Sequence, residues 1–171
     1  KPGMYENVVL LDVASMHPTS VEELELFGPV YSKKFSELKQ ARVFIKHGDY
    51  DSVKKMFDGR VAEYLEDSSL AVALSTALKI AINSVYGLTA ASFEHPFRDP
   101  RNVDNIVAKR GALFMVDLKF FIEEQGYECV HIKTDSVKIA NGDDKIIELV
   151  MEFGAKYGYE FEHEATYEKL C

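Results

Sequence analysis

The alternation of apolar and polar positions predicts that the chain begins with a buried strand. Residues 8–11 form a continuous apolar run, VVLL, and such runs are typical of strands that are covered on both faces. We expect this strand to end at Asp12-Val13. Pro18 predicts a break soon afterwards, and Phe27-Gly28-Pro29 predicts a turn.

Helices are predicted for the middle of the chain. The segment from about Ser32 to Glu66 is charged and favours helix, with turn residues inside it, so two or three short helices are expected. A long helix should follow, because Asp67-Ser68-Ser69 offers an N-cap and Gly87 offers an end. Its apolar positions at helical spacing are Leu70, Leu74, Ala77, Ala81 and Val85.

The last part of the chain predicts a helix, a hairpin, another helix and a strand. The first of these helices should run from Asp104 to Gln125, after a loop at Phe93–Asn102. The remaining elements are strands at Tyr127–Ile132 and Ser136–Ala140, a helix capped by Asn141-Gly142-Asp143, and a strand at Tyr159–Tyr167. Without Ser32–Glu66, this order is close to the split βαβ (ferredoxin-like) plan. The sequence therefore predicts an α+β fold, with an antiparallel sheet backed by helices and a helical insertion.

Composition sets limits on this picture. The chain has 171 residues, 47% of them hydrophobic, which is enough for a buried core. Its net charge of −8 by itself argues against a nucleic-acid partner, although enzymes that hold divalent metals also concentrate carboxylates. Charged residues interrupt the apolar segment around Ile106–Ile122, so no membrane span is expected. Cys129 and Cys171 cannot form a disulfide framework and predict reduced thiols in a cytosolic protein.

Two aspartates are candidates for metal binding. Asp12 ends the first strand, and Asp135 lies at the tip of the predicted hairpin, on a strand that the split βαβ plan makes a neighbour of the first. Two carboxylates at adjacent strand ends suit a pair of divalent cations in phosphoryl transfer. The alternative is that each aspartate is a turn residue, since Asp favours strand ends and tight turns.

A second group of candidates lies on helices. Lys79, Asn83 and Tyr86 are spaced so that they share one face, where a lysine suits a phosphate and its neighbours suit a sugar or a base-pair edge. Arg42 and Lys46 are one helical turn apart and suit a triphosphate. The alternative for both groups is a solvated helix face.

Three segments resemble the sequence motifs of the B-family DNA polymerases. Residues 12–20 (DVASMHPTS) resemble motif A, usually written DxxSLYPS, and residues 79–87 (KIAINSVYG) match motif B, KxxxNSxYG, at every specified position. Residues 132–136 (IKTDS) are similar to motif C, GDTDS. Residues 161–170 (FEHEATYEKL) are similar to the strand LEFEKVYEKL of such polymerases. The motifs occur in the family's order, which makes the resemblance specific.

The resemblance implies a division into palm and fingers. Residues 1–31 would form the first palm segment, 32–87 the fingers helices, and 88–171 the second palm segment. The chain would then be a fragment of a larger polymerase whose exonuclease and thumb domains lie elsewhere, and it should extend a primer poorly by itself. The short fingers are typical of a phage or prophage enzyme, so we expect a location in the cytoplasm of a bacterial host.

The resemblance also implies site residues. The ligands of two Mg²⁺ ions, for which Mn²⁺ is a possible substitute, would be Asp12, Val13 through its carbonyl, Asp135 and Glu164, with both aspartates catalytic. Glu162 would lie on the same side of the last strand as Glu164 and reach the metal region with it. The residues that contact the nucleotide would be Ser15, Met16, His17, Arg42, Lys46, Lys79 and Asn83. The residues near DNA or the nascent base pair would be Tyr86, Gly87, Lys133 and Thr134. The reaction would be attack of a primer 3′-hydroxyl on a deoxynucleoside triphosphate, with primer-template DNA as partner.

Two positions depart from the family's motifs. Where motif A has Tyr, this chain has His17. In relatives the tyrosine ring closes off the space of a ribose 2′-hydroxyl, so the exclusion of ribonucleotides is in question here. Where motif C has an acidic residue, this chain has Lys133, which would change the local charge and suit pyrophosphate or DNA. An inactive prophage remnant is therefore one alternative, and another two-metal nucleotidyl transferase, such as a cyclase-like domain, is a second. A non-enzymatic split-βαβ module that binds RNA would place aromatic residues where this chain has Asp and Glu.

Overall fold

The computed structural model describes residues 3–95 and 105–171. The chain divides into two compact units, with unit 1 formed by Lys1–Ser20 and Ala108–Cys171 and unit 2 by Val21–Val107. The chain therefore crosses between units at 20/21 and 107/108, whereas the sequence placed the palm–fingers boundaries at 31/32 and 87/88. Naming these units palm and fingers stays a prediction. The predicted loop at Phe93–Asn102 and the predicted helix start at Asp104 lie largely outside the described residues.

Unit 1 contains a four-stranded antiparallel sheet. Its strands are β1 (Tyr5–Val13), β2 (Glu128–Lys133), β3 (Ser136–Ala140) and β4 (Phe161–Leu170), arranged in the order β2-β3-β1-β4. The predicted mixed α/β class with an antiparallel sheet is confirmed, and the likeness to a split-βαβ palm stays a prediction. Two of the strands end later than predicted, since β2 includes Lys133 and β4 continues to Leu170.

Six α-helices occur in the described residues. In chain order they are α1 (Met16–Glu23), α2 (Gly28–Lys46), α3 (Tyr50–Lys54), α4 (Ser68–Ala90), α5 (Ile106–Glu124) and α6 (Asp144–Ala155), with 3₁₀ turns at Phe57–Gly59 and Ala62–Leu65. The predicted N-caps of α4 and α6 are confirmed, whereas the predicted end of α4 at Gly87 is wrong, because the helix continues to Ala90. The Asp67 carboxylate accepts hydrogen bonds from the Ser69 and Leu70 amides at the start of α4, and the Asp143 carboxylate accepts one from the Ile146 amide in α6.

The core of unit 1 lies between α5, α6 and one face of the sheet. Its buried residues are Val9, Leu11, Val13, Met16, Phe114, Met115, Leu118, Ile122, Val137, Ile139, Ile146, Val150, Tyr159 and Phe161. Alternate residues of β1 and β3 supply the sheet side of this core, as expected for strands whose side chains point to opposite faces. The packed face fixes the strand ends where the candidate aspartates lie.

The core of unit 2 is helical and divided. One cluster packs α2, α3 and the 3₁₀ turns against α4, through Phe35, Ala41, Ile45, Val53, Leu65, Ala71, Leu78 and Ile82. A smaller cluster contains Val21, Leu26 and Val107. This unit therefore depends on helix–helix contacts, and its candidate site residues lie on helix faces.

Two prolines that were predicted to break the chain lie inside helices. Pro18 is the third residue of α1, and Pro29 is in the first turn of α2. A proline is tolerated there because the first N–H groups of a helix have no intrahelical partner. The preceding Gly28 has a φ of +71°, so the turn itself is found next to Pro29.

The predicted buried stripe of α4 is wrong in part. Its buried residues are Ala71, Leu78, Ile82 and Thr89, whereas Leu70, Ala77 and Ala81 are exposed. The small side chains of this helix give its sequence little periodic contrast, so spacing did not identify the packed face.

By length and composition, α4 is apolar enough to cross a membrane, the one such helix found in the described residues. Core helices of soluble proteins meet the same criterion, so this is weak evidence for a span. The sequence pointed to the region of α5 as the most apolar segment and overlooked α4.

Candidate active site

Asp12 and Asp135 lie at neighbouring strand ends in unit 1. The β1–β3 register puts Asp12 opposite Ser136, and Asp135 is the residue before Ser136. The Asp135 carbonyl accepts a hydrogen bond of 2.8 Å from the Val13 amide, and both aspartates are partly buried. The structure thus brings these two residues together, as the predicted strand order required. Their binding of metal stays a prediction.

A third carboxylate comes from β4. Glu162 lies opposite Asp12 in the β1–β4 register. The register shifts between Leu10 and Leu11, which leaves Glu164 as the extra residue of a β-bulge and exposed. Glu162, rather than the predicted ligand Glu164, is therefore in line with Asp12, because the bulge interrupts the alternation of the strand.

The chemistry of the two aspartates fits a magnesium site that is completed by substrate. Within residues 3–95 and 105–171, no group of three or more His, Cys, Asp or Glu side chains is arranged to hold a metal ion. Magnesium sites commonly use one or two carboxylates, with water and substrate phosphates in the remaining positions. Asp12 and Asp135 supply oxygen donors of this kind.

The turn after β1 is held by main-chain contacts. Ser15 has a φ of +56°, and the Ala14 amide donates a hydrogen bond of 2.8 Å to the Glu160 carbonyl. Met16 is buried against Gly111, where an added Cβ would lie 2.8 Å from the Met16 sulfur. Three of the predicted nucleotide-binding residues, 15–17, therefore lie on a segment whose backbone is fixed.

His17 is the last of these three and is partly buried. Burial lowers the pKa of the imidazole below its ordinary value, against the opposing effect of the negative charge of Asp135. The ring is therefore close enough to Asp135 to sense its charge, and the neutral form is favoured. A neutral imidazole is smaller than the tyrosine ring that motif A has at this place.

The β2–β3 turn contains the predicted DNA contacts Lys133 and Thr134. Both are exposed, and Thr134 has a φ of +42°. The Ser136 hydroxyl donates to the Lys133 carbonyl at 3.3 Å. Lys133 thus presents a positive charge near Asp135, on the side of the hairpin that is open to solvent.

Unit 2 places the motif B residues on one stretch of α4. Lys79 and Asn83 are exposed, while Tyr86 is partly buried and its hydroxyl accepts a hydrogen bond of 2.8 Å from the Asn105 amide group. Gly87 is exposed, and a Cβ added there would meet nothing within 4 Å among residues 3–95 and 105–171. A glycine at position 87 is therefore not required by the packing that surrounds it.

The two cationic candidates of α2 are less alike than the sequence suggested. Arg42 is partly buried and Lys46 is exposed, one turn apart near the end of α2. Lys39 was not among the predicted site residues; its ammonium group forms an ion pair with the Glu22 carboxylate. Arg42 and Lys46 stay predictions as triphosphate contacts.

Comparison with known proteins places the chain in context. No family model matches it. It is 30% identical over 148 residues to DNA polymerase II of Escherichia coli (strain K12), which covers 80% of this chain and 18% of that protein. It is also similar to the structure of the family B DNA polymerase from the hyperthermophilic archaeon Pyrobaculum calidifontis, with a TM-score of 0.64, 16% identity, and coverage of 99% of this chain and 25% of that chain. The second likeness shows the fold.

The fold agrees with the structural comparison. The chain is homologous to a segment of the B-family DNA polymerases. It spans about a fifth to a quarter of the length of the relatives that it matches. The resemblance found in the motifs is confirmed at the level of the family, and a phage origin stays a prediction.

Proposed function

We propose that the chain forms the palm and fingers of a DNA-directed DNA polymerase, with unit 1 as a split-βαβ (ferredoxin-like) palm and unit 2 as fingers. The observation that carries this proposal is the meeting of motifs A and C: Asp12 lies opposite Ser136, and Val13 is hydrogen-bonded to Asp135. The reaction is attack of a primer 3′-oxygen on the α-phosphorus of a deoxynucleoside triphosphate. A new phosphodiester bond forms at the α-phosphorus. The bond between the α-phosphorus and the oxygen that bridges to the β-phosphate breaks, and pyrophosphate leaves.

Asp12, the Val13 carbonyl and Asp135 would hold two divalent ions, Mg²⁺ or in its place Mn²⁺. Such ions stabilise the charge on the attacking and leaving oxygens of an in-line displacement. Glu162 lies beside Asp12 and would add negative charge, and the exposed Glu164 would act through water. The contribution of the protein is to fix the carboxylates before substrate binds.

The remaining residues would bind the substrate. The amides of Ser15 and Met16 would meet the triphosphate, as backbone N–H groups in turns often do. The cationic side chains of Arg42, Lys46 and Lys79 would neutralise its charge, with Asn83 beside them and His17 near the sugar. This assignment is supported by motif B and by the exposure of Lys79 and Asn83 in unit 2.

The proposed DNA contacts are Tyr86, Gly87, Lys133 and Thr134. Gly87 supports this role, because a Cβ there would meet no atom of the described residues within 4 Å, and such space suits a bound base pair. Lys133 would pair with a phosphate of DNA or with pyrophosphate. Primer-template DNA and deoxynucleoside triphosphates are thus the proposed partners, with no membrane partner. An exonuclease and a thumb in the same polypeptide, a phage source and the cytoplasm of a bacterial host are proposed with them.

The substitution Asp135→Asn tests this proposal. Removing one carboxylate charge should lower the rate of single-nucleotide extension of a primed template by on the order of 100-fold or more. The assay should use the full-length gene product with Mg²⁺, because the 171-residue chain by itself is expected to extend poorly.

The matched control is Asp144→Asn, which makes the same change at an exposed residue of α6. It should leave the extension rate unchanged. Undiminished extension by Asp135→Asn would contradict the metal assignment, and an inactive unsubstituted protein with normal folding would favour a remnant gene product.

A further inference from the structure

We infer that Tyr159 is a positioning residue, whose hydroxyl holds the turn between β1 and α1 in the conformation that receives the triphosphate. This inference rests on the proposed function, since it assigns a support to residues 15–17. Tyr159 lies outside the three motifs, and the sequence predicts for it only the start of the last strand.

The first observation is a pair of buried hydroxyl groups. The Ser20 oxygen lies 2.6 Å from the Tyr159 oxygen and 2.9 Å from the Met16 carbonyl, to which it donates. Ser20 and Tyr159 are 0% and 1% exposed. Since a serine hydroxyl has one proton and gives it to Met16, the Tyr159 hydroxyl must donate to Ser20. The order of donors in this chain of hydrogen bonds is therefore fixed.

The second observation is that Tyr159 is held independently of Ser20. Its ring centroid lies 4.5 Å from that of Phe114, and the Arg110 guanidinium carbon lies 4.8 Å from the same ring. Arg110 also donates to the Tyr157 carbonyl at 2.8 Å, and the Tyr159 amide donates to Gly154 at 3.0 Å. The ring and the backbone of Tyr159 are thus held by other residues, and its hydroxyl contacts the turn from this fixed position.

The third observation is that the residue after Tyr159 holds the other end of the same turn. The Glu160 carbonyl accepts the Ala14 amide at 2.8 Å. Consecutive residues, 159 and 160, therefore contact Ser20 and Ala14, and the nucleotide-binding candidates at 15–17 lie between these two contacts. Ser15 in this span has a positive φ, so the span needs external contacts to fix its shape.

The substitution Tyr159→Phe removes one oxygen and keeps the ring with its packing. It should raise the KM for the incoming deoxynucleotide about fivefold, the factor that corresponds to a typical net hydrogen bond. A loss of folded protein would lower kcat and leave KM unchanged, so the split between KM and kcat separates positioning from stability. Tyr157→Phe is the matched control, because it makes the same change at an exposed tyrosine of the same segment and should leave KM unchanged.

A second substitution tests the hydrogen bond itself. Ser20→Ala removes the bond to Tyr159 and also the bond to the Met16 carbonyl, so it should raise KM at least as much as Tyr159→Phe does. The double variant Ser20→Ala, Tyr159→Phe should lose no more than Ser20→Ala, because the hydrogen bond between residues 20 and 159 is already absent from each single variant. Additive losses would overturn the inference that these hydroxyls act together.

Hydrogen exchange of the 171-residue chain gives a readout that does not depend on catalysis. Amides at 14–20 should exchange faster in Tyr159→Phe and not in Tyr157→Phe. Unchanged KM and unchanged exchange in Tyr159→Phe would overturn the inference, while an inactive Asp135→Asn would leave the proposed function standing. If Asp135→Asn extends normally, the proposed function fails, and the exchange result still decides whether Tyr159 holds the turn.

Discussion

Unit 1 and unit 2 hold their candidate site residues in different ways. In unit 1, strand register and main-chain hydrogen bonds fix the residues next to Asp12 and Asp135, and the packed face of the sheet supports them. In unit 2, Lys79 and Asn83 project from an exposed part of α4. Exposed lysines lose side-chain entropy only when a ligand orders them. Under the proposed function, folding would set the carboxylates in place and the substrate would order the cationic side chains.

The largest effect that sharpens this comparison is expected at Lys79. Lys79→Ala removes the ammonium group that the proposed function pairs with the triphosphate. It should raise the KM for deoxynucleotides roughly 10- to 100-fold, the equivalent of a hydrogen bond to a charged group. Thermal stability should not change, since the side chain is exposed. Steady-state extension kinetics and a melting curve measure the two quantities. Lys33→Ala, at an exposed position of α2, is the control, and an equal rise in KM there would show that Lys79 acts only through net charge.

The next effect concerns sugar selection in unit 1. His17→Tyr restores the larger ring of motif A at a partly buried position, so it should increase the preference for deoxynucleotides over ribonucleotides by about 10-fold. The ratio of the two kcat/KM values measures this preference. His47→Tyr, on an exposed loop of unit 2, should leave the ratio unchanged. If His17→Tyr also leaves it unchanged, His17 does not lie beside the sugar.

Alanine substitutions at two glycines, one in each unit, test how tightly each unit is packed. A Cβ at Gly154 in α6 would lie 2.7 Å from the Phe161 ring and 2.9 Å from the Tyr159 carbonyl, so Gly154→Ala should destabilise unit 1 by about 1–3 kcal/mol. At Gly87 in α4 an added Cβ meets nothing within 4 Å in the part of the chain that the structure describes, so Gly87→Ala should stabilise the helix by about 0.5–1 kcal/mol while impairing extension. Urea unfolding measures both. A destabilised Gly87→Ala would contradict the open space inferred there.

The smallest effect is expected for the thiols. Partial burial, with the Glu123 charge as the second cause, raises the pKa of Cys129 to about 11, whereas Cys171 is exposed. A thiol reagent at pH 8 should therefore modify Cys171 and leave Cys129 largely intact, as mass spectrometry of the labelled chain would show, with Cys171→Ser as the control. Because folding raises the pKa of Cys129, the protonated thiol contributes to the stability of the folded state. This contribution is fully present below the ordinary pKa of 9.0 and is lost as the pH rises through about 11. Rapid labelling of Cys129 at pH 8 would contradict its burial.

Much of the architecture could be predicted from local signals. The caps at Asp67 and Asp143 and the hairpin at 133–136 follow from short-range chemistry, since each involves residues only a few positions apart. The placement of Asp12 next to Asp135 followed from the strand order. These features were predicted because sequence patterns reflect backbone preferences directly.

The features that were missed depend on contacts across the fold. The bulge that puts Glu162 opposite Asp12 is a property of two strands far apart in sequence, and no pattern within β4 announces it. The contact between Ser20 and Tyr159 spans 139 positions. The packed face of α4 was misjudged because alanines occur on both its buried and its exposed sides.

The position of β1 in the sheet has a consequence for synthesis on the ribosome. β1 is synthesised before its partners β3 and β4, and Tyr5 is opposite Leu170. Most of unit 2 consists of helices whose packing partners are closer in sequence, so these helices can pack before β1 pairs with its partner strands. The apolar run at residues 8–11 stays without its sheet partners until residues 136–170 have emerged, and such a segment is a target for chaperones or for aggregation.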